Sequence, residues 1–480
     1  MKLFAITVFL SFIVELVSED GSCDKEKGCN SNQDRPKIFE GDPVTRLKHF
    51  KDINNLPPLN DPLYLIPDGQ HPQVIWWYPD IYMHRDHNKI KCPLGTCSVT
   101  NDQNELKNPL TRGFIFYGTS FRADELPLPR LPHHEWALFH EESPKNNWIF
   151  SSDVGISLFN HTATFRRESD YPISTQFIRD PDEWLENKYF VNLTEKNRLQ
   201  KEEGLAPAVF VQRDCNPPSD RDTYIEELMK HLKIDSFGRC LNNKNMPKEI
   251  DGFHKLSTDE YYHFLAKYKF QLAFENCVCQ DYMTEKVFRP LTIGSVPIYF
   301  GSSKIHDFMP TKKAVIVATD FASPKELAEY IMELNLDDNK YNEYLKHRIE
   351  RKFSNEEFKK SLLRQPWVLP SRHHKPNFGS YMFSGFSCYV CDRLLERNNR
   401  LREHLKDPTV PPLPIKIANS SHMGCPSPKP ILPNSSQKYA DIVYKFGEKE
   451  AKPLLRMLLA NETDTTKWKD YLQIKTDKYP

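Results

Sequence analysis

Short apolar runs alternate with amphipathic segments along much of this 480-residue chain, and that alternation strongly limits the folds open to it. In the second half, the apolar runs Ala208–Gln212 and Phe270–Phe274 flank the amphipathic stretch Arg221–Leu232. Strands that alternate with helices are typical of parallel, doubly wound sheets. The sequence therefore predicts an α/β protein.

Two groups of such elements follow one another. The first contains buried strands at Val74–Trp77, Phe114–Tyr117 and Trp136–Phe139. The second adds predicted strands at Ile234–Ser236, Val296–Phe300 and Ala314–Val317, and predicted helices at Thr258–Ala266, from Thr284 and at Pro324–Leu334. Because a chain of this length suits two or three domains of roughly 150 residues, we predict two α/β domains, at residues 71–200 and 205–400.

The flanking segments differ in composition from these domains. Residues 19–70 are polar, charged and Pro-bearing, which predicts a stem or lead-in. Residues 401–480 begin with a Pro/Ser-rich stretch and end in a tail, in which Lys438–Leu459 could form one or two helices.

The first 18 residues indicate the secretory pathway. Lys2 precedes an uncharged apolar run from Leu3 to Val14, the order found in signal peptides. Twelve residues fall short of the roughly 20 that span a bilayer. The run therefore favours a cleaved signal peptide, and a short signal-anchor that would make a type II membrane protein is the alternative. Either places the body of the protein in the lumen of the endoplasmic reticulum or Golgi apparatus.

Sequons and cysteines agree with a lumenal location. Five Asn-x-Ser/Thr sequons provide candidate N-glycosylation sites, at Asn160, Asn192, Asn419, Asn434 and Asn461. Eleven cysteines include closely spaced pairs, among them Cys92/Cys97 and Cys388/Cys391. In an oxidising compartment these four are disulfide candidates, but their connectivity stays open.

The charge balance excludes one broad class of function. Lys and Arg total 65, as do Asp and Glu, so the formal net charge is zero. A chain without an overall basic field is not expected to bind nucleic acid.

The stretch from 268 to 301 is the richest in chemistry. A predicted strand ends in Glu275 and Asn276, and a polar loop leads to Tyr282, Glu285 and Lys286 at the start of a helix. Ligands of open α/β sheets bind beyond the carboxyl ends of strands, and helix N-termini there favour phosphates. These side chains could therefore hold a nucleotide. The alternative is a helix cap with solvated neighbours.

Two further patches lie at predicted strand ends. Arg221 follows the strand Ala208–Gln212, and a guanidinium can bind phosphate oxygens bidentately. Asp220 and Asp222 beside it could suggest a divalent cation or, more simply, an N-cap. Glu142 follows the strand Trp136–Phe139; it could be a general base or an exposed carboxylate.

Taken together, these patches resemble one family, the alpha-(1,3)-fucosyltransferases of glycosyltransferase family 10. The resemblance rests on the donor motif FEN…DYMTEK…GSVPIYFG, on HEESPKNN with FNHTATFRRESD, and on the Cys-x-x-Cys in FSCYVCDRL. It covers about residues 71–395. Within the family, the chain is most similar to the branch of fucosyltransferases 10 and 11, which is associated with O-fucosylation of Cys-rich, EMI-type protein domains.

The resemblance implies a fold and roles for residues. The fold would be GT-B, two Rossmann-like, doubly wound domains facing a cleft. The N-terminal domain would bind the acceptor and the C-terminal domain GDP-fucose. Glu142 would be the catalytic base of an inverting transfer. The donor would be bound by Arg221, Asn276, Tyr282, Glu285 and Lys286.

The resemblance also implies that no cofactor is required, that a divalent metal is at most stimulatory, and that the chain has no metal site. The acceptor stays open between Ser/Thr of Cys-rich protein domains and N-acetylglucosamine of glycans in an alpha-1,3 linkage. The alternative function is a non-catalytic lumenal module that binds glycans or proteins on the same fold.

Overall fold

The structure is a computed structural model that describes residues 62–78, 88–178, 180–363, 378–433, 435 and 438–473. These residues belong to one compact unit that begins at Leu56. The predicted signal segment 1–18 and nearly all of the predicted stem lie outside the described residues. Within the described ranges, none of the helices has the length and apolar character needed to cross a membrane.

A first sheet of six strands is built from the first half of the chain. Its strands are β1 (Gln73–Trp76), β2 (Asn88–Cys92), β3 (Gly95–Thr100), β4 (Thr111–Tyr117), β5 (Glu135–His140) and β6 (His161–Thr164). The spatial order is β2-β3-β1-β4-β5-β6. Strand β2 runs antiparallel to β3, and the other pairs are parallel.

A second sheet of five strands follows. Its strands are β7 (Ala208–Gln212), β8 (Ile234–Gly238), β9 (Phe270–Phe274), β10 (Val296–Phe300) and β11 (Ile316–Val317). The order is β11-β10-β9-β7-β8, and all pairs are parallel. The chain therefore carries the two parallel-strand sheets that the sequence predicts.

Helices connect and cover these sheets. They are α1 (Asp153–Ile156), α2 (Leu193–Glu202), α3 (Arg221–Leu228), α4 (Asp259–Ala266), α5 (Glu285–Ile293), α6 (Pro324–Leu336), α7 (Asp338–Asn342), α8 (Lys346–Ile349), α9 (Glu356–Leu363), α10 (Phe378–Lys406), α11 (Lys438–Leu459) and α12 (Trp468–Gln473).

Both faces of each sheet are buried, as in doubly wound folds. In β4, Phe114 and Phe116 point into a core shared with α1 and α11, whereas Ile115 and Tyr117 pack against α10 on the opposite face. The second sheet packs against α3 and α6 on one side and against α4 and α5 on the other. The α/β class and the GT-B arrangement are confirmed.

Helix α10 returns to the first sheet, although the sequence analysis assigns residues up to 400 to the second domain. Its apolar face, including Phe386 and Val390, packs on that sheet. The domain limits at residues 71, 200, 205 and 400 were drawn from the order of elements along the sequence. They stay predictions.

Two disulfides fix this return helix to the β2–β3 hairpin. Cys92 is bonded to Cys388 and Cys97 to Cys391. Residues 388 and 391 lie three apart on one helix and therefore on one face. All four candidate cysteines form disulfides, each with a partner almost 300 residues away.

One glycosylation candidate is wrong. Asn160 is only 4% exposed, and its side chain accepts from the Trp136 amide and donates to the Lys416 carbonyl, so a glycan has no room there. Asn192, Asn419 and Asn461 are exposed and stay candidates. Asn434 lies outside the described residues.

Several elements differ from the sequence expectation. Helix α3 ends at Leu228 instead of Leu232, and β11 is shorter than Ala314–Val317. Pro290 should end or kink the helix predicted from Thr284 early, but α5 continues to Ile293, and its C-cap Gly294 has a φ of 72°, which glycine readily adopts.

Candidate active site

The carboxyl ends of β5 and β9 face each other across the two halves of the fold. The Tyr282 hydroxyl, from the segment after β9, donates to Glu142 Oε2 at 2.9 Å. Beside it, Ser143 Oγ donates to Asn276 Oδ1 at 2.9 Å. The structure therefore brings the predicted base, Glu142, into direct contact with the segment 275–286, which is called the donor loop below.

A buried carboxylate organises the turn before α5. Glu275 is fully buried and accepts bonds from the Thr284 backbone N–H, at 2.7 Å, and from its hydroxyl. The Lys286 ammonium lies 3.5 Å from Glu275 Oε2 and donates to Thr284 Oγ1 at 2.9 Å. This network holds the start of α5 and fixes the cation Lys286 at the site.

The carboxylates of the site have contrasting pKa values. Burial raises the pKa of Glu142, and this outweighs the opposing effects of the Lys286 charge and the Tyr282 hydrogen bond. Burial acts on Glu285 in the same direction, but the nearby charges of Lys286 and Arg289 lower its pKa to about 2. A raised pKa brings Glu142 closer to the range in which a carboxylate is an effective base near neutral pH.

The cationic side of the site is held by these acids. Burial alone favours the neutral amine, yet Glu285 and Glu275 keep the pKa of Lys286 above its ordinary value. Lys286 is therefore charged at neutral pH. One side of the site thus offers a permanent cation and the other a carboxylate of raised basicity.

Arg221 begins α3 and is fully buried. Its guanidinium donates to the carbonyls of Phe274 and Asp214, each at 2.8 Å. Its Nε is buried and has no hydrogen-bond partner among the described residues. Arg221 therefore ties the ends of β7 and β9 together, and its Nε lies 3.8 Å from Asp222 Oδ1 without a hydrogen bond to it.

Asp220 and Asp222 have local partners. Asp220 precedes α3 in a left-handed conformation and accepts from the Thr223 hydroxyl at 2.6 Å. Asp222 accepts from the Asn216 backbone N–H at 2.6 Å. Asp222 also lies close to Cys215 and Cys240, but those two sulfurs are bonded to each other. Both carboxylates thus stabilise the loop that leads into α3.

Sequence reasoning missed three contributors to the site. Ser143 bridges to Asn276, and its position beside Glu142 could have signalled this. Asp281, fully buried with φ of 63°, pairs with Arg167 at 2.9 Å. A disulfide joins Cys279 in the donor loop to Cys425; the spacing of these cysteines gives no hint of their pairing.

This geometry suits group transfer to a hydroxyl. Glu142 can accept a proton, and Lys286 can stabilise negative charge on a departing phosphate. Tyr282, Asn276 and Glu285 supply hydroxyl, amide and carboxylate groups that can orient a polar ligand between the two.

Two family models match this chain, one in each half. Residues 69–175 match the family model described as "Fucosyltransferase, N-terminal". Residues 200–406 match "Glycosyltransferase family 10 (fucosyltransferase) C-term". The two matches contain the ends of β5 and β9, respectively.

Solved structures of fucosyltransferases also match. An alpha1,3-fucosyltransferase crystallised with GDP is 16% identical, with a TM-score of 0.39, over 71% of this chain and 96% of that one. A structure described as alpha1,3-fucosyltransferase with GDP-fucose is 18% identical, with a TM-score of 0.38, over 64% of this chain and 95% of that one.

Among similar proteins are three named GDP-fucose protein O-fucosyltransferase 3. The rat protein is 41% identical over 88% of this chain and 84% of its own length. The mouse protein is 40% identical over the same shares, and the zebrafish protein is 38% identical over 88% and 90%. These identities extend over most of this chain and most of each relative, and Glu142 faces the Tyr282–Lys286 turn. The chain is therefore a fucosyltransferase and belongs to glycosyltransferase family 10.

Proposed function

We propose that this enzyme transfers L-fucose from GDP-fucose to a Ser or Thr hydroxyl of a folded, Cys-rich protein domain, with inversion at the fucose carbon. The observation that carries the proposal is the contact between Glu142 and Tyr282, which joins a carboxylate of raised pKa to the donor loop. The relatives named as protein O-fucosyltransferases favour a protein over a glycan acceptor.

In this mechanism Glu142 removes the acceptor proton. The acceptor oxygen forms a bond to C1 of fucose while the bond from C1 to the β-phosphate oxygen breaks, and GDP leaves with the electron pair. The transition state resembles an oxocarbenium ion, and the acceptor attacks C1 on the face opposite to the departing GDP. One displacement therefore inverts the configuration.

Departure of GDP requires stabilisation of negative charge. Lys286 is charged and fixed by Glu275 and Thr284, and the unused Nε of Arg221 is a second donor. Positioned cations and donors of this kind can replace a metal ion in stabilising a leaving phosphate. We therefore propose that a divalent cation is at most stimulatory.

The location follows the same proposal. Four disulfides link described residues, and such bonds persist in oxidising compartments. We propose that the enzyme works in the lumen of the endoplasmic reticulum or Golgi apparatus, where folded Cys-rich acceptors also occur.

A panel of donors and acceptors tests the proposal. Purified enzyme is incubated with GDP-fucose, or in parallel with GDP-mannose, and with a folded Cys-rich domain, the same domain reduced and alkylated, or an N-acetyllactosamine glycan. Mass spectrometry then measures the addition of one deoxyhexose from GDP-fucose or one hexose from GDP-mannose, and the GDP released is assayed. We expect fucose on the folded domain alone.

Each other outcome has a distinct meaning. Fucose on the glycan alone would show that the acceptor is N-acetylglucosamine and not a protein hydroxyl. Transfer from GDP-mannose in place of GDP-fucose would reject the donor. Binding of the domain without GDP release from any donor would support the alternative, a non-catalytic lumenal binding module.

A further inference from the structure

The segment after residue 406 lies beyond both matched family models, but it contacts residues close to the candidate active site. The Ala418 amide donates to the Phe159 carbonyl at 2.9 Å. The Gln280 amide donates to the Gly424 carbonyl at 3.2 Å, next to the Cys279–Cys425 disulfide. This C-terminal segment (residues 407–473) therefore touches the donor loop.

Its helix α11 packs closely on the chain that follows the predicted base. A methyl group added at Gly447 would lie 1.8 Å from the Trp148 carbonyl oxygen. Glycine in a helix interior costs about 1 kcal/mol relative to alanine, and this close approach explains its presence. The segment that leads from Glu142 to residue 148 is thus held against α11.

Tyr444, one helical turn before Gly447, contacts both Cys277 and the segment that follows Glu142 in the chain. Its buried hydroxyl donates to Cys277 Sγ at 3.6 Å. Its ring packs edge-on against Trp148, with centroids 5.4 Å apart, and its carbonyl accepts from Ser151 Oγ at 3.2 Å. One residue thereby links the donor loop to the segment that carries the base.

Cys277 is in a position to transmit this contact. It is 1% exposed and is the one free cysteine among the described residues. It directly follows Asn276, whose side-chain oxygen accepts from the Ser143 hydroxyl. A shift of Cys277 would therefore move Asn276 relative to Ser143 and Glu142.

We propose that Tyr444 is a positioning residue that sets the distance between the donor loop and Glu142, so that helix α11 supports the active site from outside it. The inference rests on the proposed fucosyl transfer. Because reacting groups must be aligned within a fraction of an ångström, loosening this contact lowers kcat more than it changes donor binding.

A double-mutant cycle tests the inference with the full-length enzyme. Tyr444→Phe removes only the hydroxyl, and Cys277→Ala removes its acceptor. Each change is expected to lower kcat by about three- to tenfold, the size of one buried hydrogen bond. KM for GDP-fucose and Kd for GDP should stay within about twofold. In the double variant the two losses should not multiply, because both remove one interaction.

Tyr471→Phe provides a matched control. Tyr471 lies in the same segment, and its hydroxyl donates to Glu462 at 2.9 Å. This variant should retain wild-type kcat. Alkylation of Cys277, located by peptide mass spectrometry, should accelerate in Tyr444→Phe but not in Tyr471→Phe.

The outcomes separate this inference from the proposed function. A wild-type enzyme that transfers no fucose rejects both. An active wild type with unchanged kcat in Tyr444→Phe overturns the positioning role alone. Losses of kcat that multiply in the double variant also overturn it, because they show that Tyr444 and Cys277 act independently. An equal loss of kcat in Tyr471→Phe overturns it as well, because it indicates general destabilisation.

Discussion

The two walls of the cleft, residues 140–147 (the base wall) and 275–286 (the donor wall), are stabilised in different ways. The donor wall is stabilised from within, by hydrogen bonds and an ion pair that connect Glu275, Thr284 and Lys286. The base wall has contacts in its own half, such as those from Asn147 Nδ2 to the Gly118 and Phe121 carbonyls, but the side chains nearest the base are supported from across the cleft. Its cross-cleft pairs are Glu142 with Tyr282, Ser143 with Asn276, and Lys145 with Asp214.

This difference shows what each wall needs from the rest of the fold. The donor wall is preorganised by a network within one short segment, so it can bind a nucleotide sugar even when the base wall shifts. The side chains of Glu142, Ser143 and Lys145 in the base wall, in contrast, have hydrogen-bond partners in the other half. Binding and turnover should therefore respond differently to substitutions on the two walls.

The largest expected effect is on the base wall. Glu142→Gln preserves shape but removes the proton acceptor, so turnover should fall at least about 100-fold while the affinity for GDP is unchanged. Initial rates and GDP titration calorimetry measure the two quantities. Glu141→Gln is the matched control because it alters the adjacent carboxylate, which accepts from Tyr117; its rate should stay near that of the wild type. Equal losses in both variants would contradict the assignment of Glu142 as the base.

The next effect belongs to the donor wall. Lys286→Met keeps the aliphatic stem but removes the charge next to Glu275 and Glu285. Loss of a charged hydrogen bond costs about 1.5–3 kcal/mol, so we expect GDP to bind at least about tenfold more weakly by calorimetry. Full GDP affinity in this variant would reject the diphosphate role of Lys286.

Arg221→Ala is a less clean test of the same wall. Arg221 holds the Phe274 and Asp214 carbonyls, and leaving those groups unsatisfied costs about 1–3 kcal/mol. The GDP affinity of the Arg221→Ala variant is therefore measured together with its melting temperature, which reports the loss of stability separately.

The fold was largely predictable from the sequence because burial on both faces leaves strands as apolar runs. The predicted limits of β7, β9, β10 and α11 coincide with those observed. The β2–β3 hairpin was missed, since Asn88–Cys92 is polar and mostly exposed. The return of α10 to the first sheet was also missed, because its packing depends on residues about 300 positions away.

The predicted site residues come together, but the features that hold them could not be foreseen. The donor motif marks Asn276, Tyr282 and Lys286 by resemblance. No local pattern pairs Asp281 with Arg167 or Cys279 with Cys425. Such contacts depend on how the two sheets are oriented, and no property of either segment alone encodes that orientation.

A smaller effect concerns pH. The base must be ionised, so kcat/KM should fall as pH decreases through the raised pKa of Glu142. The Tyr282 hydrogen bond favours the carboxylate, so Tyr282→Phe should raise that pKa further and move the acidic limb to higher pH, by about one unit (roughly 1.4 kcal/mol). Glu285, with a pKa of about 2, contributes nothing to this limb. A rate profile from pH 4 to 9 measures the shift, and a limb that stays in place or moves to lower pH would show that another group titrates.

The smallest expected effect tests the cross-cleft support of the base wall directly. Ser143→Ala removes the bond to Asn276 Oδ1 but touches neither the Glu142 carboxylate nor the Lys286 network. A single neutral hydrogen bond contributes about 0.5–1 kcal/mol, so kcat should fall about two- to fivefold. If the walls are stabilised as described, the loss should appear in kcat and leave GDP affinity intact, because the donor wall keeps its own contacts. If GDP binding weakens by the same factor as kcat, the donor wall also depends on the opposite half, and the contrast between the two walls is lost.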